Sequence, residues 1–124
     1  MKIIDESKKK AIVEALFDDQ SRTILYSTTD TAKPVVDIMK ETNIPMTSAY
    51  RKVKDLLKVN LLRTEGSEIT EDGKRFYLYR SNINEAKLIY KNGDIEINIE
   101  PNTQKDQPED RLLKTFTTMK GREQ

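Results

Sequence analysis

Apolar side chains recur every three or four residues through the first half of the chain and every second residue through much of the second half, with the change near residue 60. Residues 7–17 set Ile12, Ala15 and Leu16 on one stripe, with Val13 and Phe17 beside it, and predict an amphipathic helix capped by Ser7. A short second helix carrying Ile24, Leu25 and Tyr26 is expected to start from Ser21 or Asp19 and to end in the polar cluster at 27–30. Pro34 suits the first turn of a third helix, with Val35, Val36, Ile38 and Met39 as its apolar positions. That helix stops near Thr42-Asn43, because Pro45 disfavours helical geometry at Ile44. A fourth helix, about 46–59, buries Ala49, Val53, Leu56 and Leu57, and Asn60 tolerates the left-handed conformation that ends it.

Beyond residue 60 the pattern predicts strands. Leu61–Thr64 and the aromatic-rich stretch 75–80 flank the turn Glu71-Asp72-Gly73. A second hairpin, 86–91 and 95–100, closes on Asn92-Gly93, two residues that accept positive φ. Ile95, Ile97 and Ile99 alternate, so one face is expected to be buried. After a polar linker, Leu112, Leu113, Phe116 and Met119 share a stripe within a last helix at 108–120. The predicted class is α+β: a winged helix-turn-helix domain over 7–81, an added hairpin over 82–101 packed on it, and the C-terminal helix.

Composition narrows the chemistry. The 124 residues suffice for one domain, and the chain has no cysteine and no histidine. Thiolate catalysis, cysteine-ligated zinc and the commonest general base are therefore excluded. Asp18-Asp19, Glu71-Asp72 and Glu109-Asp110 read as caps and turn residues rather than metal ligands, because no other ligand type accompanies them. No phosphate loop or nucleophile with a base is found, so neither an enzyme nor a cofactor or metal site is expected. No apolar run approaches membrane-span length and the start lacks a signal-peptide core, which predicts a cytoplasmic protein with no membrane partner.

The formal net charge is only +1, from 22 basic and 21 acidic residues, but its distribution is uneven. Residues 44–63 carry Arg51, Lys52, Lys54, Lys58 and Arg63 against Asp55 alone, a local balance of +4; residues 83–110 balance to −4. A basic helix face is usually a solvated face, but here it follows a bracing helix and a tight turn and precedes a hairpin. In that order the fourth helix enters the major groove and the hairpin at 62–80 is the wing on the flanking backbone. The expected DNA-binding residues are Thr47, Ser48, Tyr50, Arg51, Lys52, Lys54 and Lys58, with Arg63, Lys74 and Arg75 on the wing. Arg51 suits base readout, since its fork matches guanine's two major-groove acceptors. The lysines suit phosphate. Tyr77, Tyr79 and Tyr90 read as packing residues, and Lys8-Lys9-Lys10 as a solvated helix start.

These phrases resemble a known family. Residues 16–25, LFDDQSRTIL, look like the opening of the second helix of ArsR-type winged-helix regulators. Residues 44–56, IPMTSAYRKVKDL, resemble that family's recognition helix, and Asn60-Leu61-Leu62 resembles its helix-ending phrase with Asn60 in the glycine's place. Tyr79-Arg80-Ser81 is similar to the wing ending of the small archaeal branch. The resemblance covers roughly 10–81 and implies a sequence-specific repressor or activator that binds double-stranded DNA as a homodimer, with Thr47, Ser48, Tyr50 and Arg51 reading bases. The metal-sensing members use Cys and His ligands, which this chain lacks. The dimer is expected to bury Leu112, Leu113, Phe116 and Met119, helped by residues 10–17 and the second hairpin. The alternative is a winged helix used for protein contacts within a transcription complex.

Overall fold

Capping chemistry sets where the helices begin. The computed structural model describes residues 1–105. Helix α1 (Glu6–Leu16) starts from Asp5, whose carboxylate accepts the Lys8 N–H at 2.9 Å, rather than from Ser7. Helix α2 (Asp19–Ser27) starts from Asp18, which accepts both the N–H and the hydroxyl of Ser21 at 2.8 Å, rather than from Ser21 or Asp19. In both cases a carboxylate one to three residues upstream displaces the expected cap. An anionic oxygen accepts the unpaired N–H groups of a first turn and also meets the positive end of the helix dipole. Pro34 precedes α3 (Val35–Thr42), and Pro45 precedes α4 (Met46–Lys58).

Helices α3 and α4 both end in asparagine turns. Asn43 has φ 60° and donates its N–H to the Met39 carbonyl at 2.9 Å. Asn60, also at φ 60°, sits in a Schellman arrangement: its N–H reaches Leu57 at 3.1 Å, and the next N–H, of Leu61, reaches Leu56 at 3.0 Å. Leu61 and Leu56 are both buried, which fixes the direction in which the chain leaves α4.

Strand β1 (Lys2–Ile3) precedes the helices; β2 (Leu62–Ile69), β3 (Arg75–Ser81), β4 (Ile83–Lys91) and β5 (Asp94–Pro101) follow them. The described residues are thus α+β, with four helices and antiparallel strands. β2 and β3 pair as a hairpin whose register shifts between Thr64 and Ser67, where Glu65 and Gly66 form a β-bulge with Gly66 at φ 88°. Lys33, in the segment before α3, bridges to Tyr79 through two backbone hydrogen bonds of 2.8 and 2.9 Å. β4 and β5 close on Asn92-Gly93, both at positive φ, as the sequence requires. β1 adds itself to the other side of β5, giving the order β1-β5-β4.

One cluster of buried side chains joins these parts. Ile12, Ile24, Ile38, Ala49, Val53 and Leu56 from the helices meet Leu61 and Leu62, and also Ile3, Ile97 and Ile99 of the second sheet. Ile97 and Ile99 are buried, whereas Ile95 is exposed at the hairpin end, so the expected apolar face is covered over only part of its length. There Lys9 of α1 reaches Asp94 at 3.6 Å. The predicted helix at 108–120, with Leu112, Leu113, Phe116 and Met119, lies outside the described residues. Among the described residues no helix is long and apolar enough to cross a membrane.

Candidate nucleic-acid interface

Helix α4 has one buried and one open side. Ala49, Val53 and Leu56 face the core. At about 100° per residue, Thr47, Arg51, Lys54 and Lys58 stand opposite them, and all four are exposed. Arg51, Lys54 and Lys58 form no ion pair with any described residue. Tyr50, 55% exposed, borders this surface on one side; Asp55 and the half-buried Ser48 border it on the other. The three-residue joint Asn43-Ile44-Pro45 angles α4 away from α3, and buried Ile44 pins that joint to the core.

Lys52 is placed differently from its neighbours. Its ammonium donates to Asp18 Oδ2 at 2.7 Å, and its side chain is 16% exposed. The Lys52 hydrogen bond is the largest influence on Asp18; with the two hydrogen bonds from Ser21 it outweighs burial and lowers the carboxyl pKa to about 2. Asp18 thus caps α2 and anchors α4 at once. The pair sits in the wall of a groove of about 470 Å³ between α1 and α4, with Glu14, Asp55 and Lys58 also on its lining. Asp18 and Lys52 in this groove are already spent on each other.

Arg63 also leaves the open surface, because it points into a polar network at the base of the β2–β3 hairpin. It donates to Asn82 Oδ1 at 2.8 Å, the Asn102 carbonyl at 2.7 Å and Glu65 Oε1 at 3.1 Å, and also to the Gln104 carbonyl. Arg80, 2% exposed, donates to the other Glu65 oxygen at 3.1 Å and to the carbonyls of Thr29 and Asp30 at 3.2 and 2.7 Å. Asn102 joins them, donating to Thr29 and Ser81 carbonyls at 3.0 and 2.9 Å. No buried side-chain nitrogen or oxygen among the described residues lacks a partner. Sequence reasoning missed this network. Its one visible trace is an arginine inside the apolar alternation of β3, between Leu78 and the wall of the core.

The far half of the hairpin has two unlike faces. Strand pairing puts Ser67 opposite Tyr77, Ile69 opposite Arg75 and Thr64 opposite Tyr79, so these six share a face that carries no carboxylate. Glu68 pairs with Phe76 on the other face. Arg75 approaches the Ser67 hydroxyl at 3.5 Å. Burial raises the Tyr79 pKa, and the Tyr50 and Tyr77 hydroxyls lie near enough to raise it further. The tyrosine face of the hairpin and the Tyr50 border of α4 are therefore neighbours. Lys74 lies in the turn, where Thr70 holds the chain through hydrogen bonds of 2.8 and 3.0 Å to the Lys74 backbone. Asp72 lies in the same turn and is held below its ordinary pKa by the Thr70 hydroxyl and its own N–H.

No family model matches this chain. No curated protein matches it either. Of the expected DNA-binding residues, Thr47, Tyr50, Arg51, Lys54, Lys58 and Arg75 lie on open surface of α4 and the tyrosine face, Ser48 is at the edge, and Lys74 stands apart among acidic turn residues. Lys52 and Arg63 are held in ion pairs. Among the described residues no group of three acidic side chains converges as a metal site.

Proposed function

We propose that the chain is a winged helix-turn-helix regulator that binds double-stranded DNA, with α3 and α4 as the helix-turn-helix and β2–β3 as the wing. One observation carries the reading: α4, set off by a three-residue joint, presents Thr47, Arg51, Lys54 and Lys58 together, with no carboxylate paired to them. Such a face offers a planar fork for a guanine edge and ammonium groups for flanking phosphates. The bridge between Lys33 and Tyr79 supports the same reading, because it ties the hairpin to the segment that starts α3 and fixes the wing relative to α4. The quoted phrases that resemble ArsR-type regulators point the same way.

A homodimer fits this function, since one such helix reads few bases and two half-sites restore specificity. A chain acting on DNA in this way belongs in the cytoplasm with it. Leu112, Leu113, Phe116 and Met119 remain the proposed dimer contacts. The second reading, a module that docks on a basic protein within a transcription complex, is favoured by the acidic hairpin end, where Glu68, Glu71 and Asp72 outnumber Lys74 and Arg75.

The test is retention of random duplexes at about 50 mM and about 200 mM salt, followed by sequencing. An enriched palindrome is expected, and about 6 phosphate contacts give a slope of log K against log salt near −5. Combined Arg51→Glu and Lys54→Glu should lower affinity by about a hundredfold or more while the melting temperature stays put. Absence of retention at the lower salt rejects the DNA reading in favour of the protein-docking one.

A further inference from the structure

The two faces of the β2–β3 hairpin differ in what they would meet on a polyanion. The turn at 70–74 and its approach carry Glu68, Glu71 and Asp72. All three are exposed carboxylates, ionised at neutral pH, so this end is electrostatically unfavourable toward phosphate. The face shared by Tyr77, Tyr79, Ser67, Ile69 and Arg75 has no carboxylate and runs toward Tyr50 of α4. Tyr50 and Tyr77 are both about half exposed, at 55% and 51%, so their hydroxyls reach solvent while part of each ring is packed. Half-packed phenols cost little conformational entropy to fix, and each has one O–H to donate. Tyr50 stands next to Arg51 in the helix and Tyr77 two residues from Arg75 in the strand, and both phenols lie within electrostatic reach of Tyr79, so each element brings a phenol and a guanidinium to the same side of the molecule.

Resting on the DNA reading above, we propose that the wing grips double-stranded DNA with its tyrosine face rather than its turn. In this arrangement the Tyr50 and Tyr77 hydroxyls donate to backbone phosphate oxygens where the strand leaves the groove occupied by α4. Arg75 neutralises the next phosphate, and the turn at 70–74, Lys74 included, stands off the duplex. Tyr77 is thereby a binding residue, not the packing residue that its place in an aromatic strand suggests.

The full-length chain, titrated with a random-sequence duplex pool at about 50 mM salt, tests this. Tyr77→Phe and Tyr50→Phe keep the rings and remove only the hydroxyls; each should weaken binding by roughly three- to tenfold, the net worth of one solvent-accessible hydrogen bond. Glu71→Gln with Asp72→Asn should raise affinity by no more than about twofold, because the turn stands off the duplex and its charges act on phosphate only through intervening salt solution. Thermal melts of the same variants should coincide with that of the parent. Phenylalanine variants that bind like the parent overturn the proposal, as does a gain of about tenfold on neutralising the turn, which would put the turn against phosphate. If the parent binds and the Arg51→Glu, Lys54→Glu pair abolishes it while the tyrosine variants are silent, only this inference fails. If the parent retains no duplex, or retains single-stranded RNA in its place, the DNA reading fails and this inference with it.

Discussion

Arg51 of α4 and Arg80 of β3 are the same residue type, yet one guanidinium stands in solvent and the other is 2% exposed. The surroundings explain the split. Arg80 meets a carboxylate, Glu65, at 3.1 Å and, among the described residues, also the Thr29 and Asp30 carbonyls and the Gln104 side chain, so burial of its charge is offset by acceptors on several sides. Arg51 forms no ion pair with any described residue, and the nearest carboxylate on its own helix, Asp55, stands at the border of that face. Arg63 shares the fate of Arg80 because Glu65 offers it a second oxygen. A count of basic residues along the chain therefore overstates the surface available to a polyanion, and the correction is set by where a single bulged glutamate points.

Removing each partner in turn sharpens the contrast. Arg80→Ala should cost the largest amount, about 3 kcal/mol or more of unfolding free energy, since it strands buried acceptors; Arg51→Ala should cost less than about 0.5 kcal/mol. Urea melts of the two variants decide this, and equal losses would erase the distinction drawn here. Glu65→Gln keeps the side-chain shape but withdraws the charge shared by two arginines and turns an NH2 donor toward one of them, and should cost an intermediate amount, about 1–3 kcal/mol. Asp18→Asn should have a small effect, about 0.5 kcal/mol, because asparagine still caps α2 and only the partly exposed pairing with Lys52 is lost. The pH dependence identifies it. The folded carboxyl titrates near 2, below its ordinary 3.8, so its contribution is whole above pH 3.8 and disappears as pH falls through about 2. The asparagine variant should lack that part of the acid transition.

Much of this architecture is legible in the sequence because it is local. The apolar stripe of α4, the left-handed Asn60 and the Asn92-Gly93 turn each follow from residues within a few positions of one another. Strand β1 does not: two residues cannot display an alternation, and only its pairing with β5, almost a hundred residues away, defines it. Helix caps shifted by one to three positions because several carboxylates and hydroxyls compete at each start, and geometry chooses among them. The candidate surface was legible for Thr47, Tyr50, Arg51, Lys54 and Lys58. It was misleading for Arg63, whose partners Asn82, Asn102 and Gln104 lie 19, 39 and 41 positions on. The same separation hid the proximity of Tyr50 to Tyr79.

The bulge at Glu65-Gly66 works like a one-letter insertion in a two-letter reading frame. Up to Thr64, even-numbered residues of β2 share the face of Tyr79; beyond the bulge, odd-numbered ones do, which brings Ser67 and Ile69 to the tyrosines and sends Glu68 to the back. Were the ladder to run on from Thr64 without the extra residue, Glu68 would fall opposite Arg75 and a carboxylate would enter the tyrosine face. A single out-of-step residue thus decides the sign of a surface several residues further along the strand.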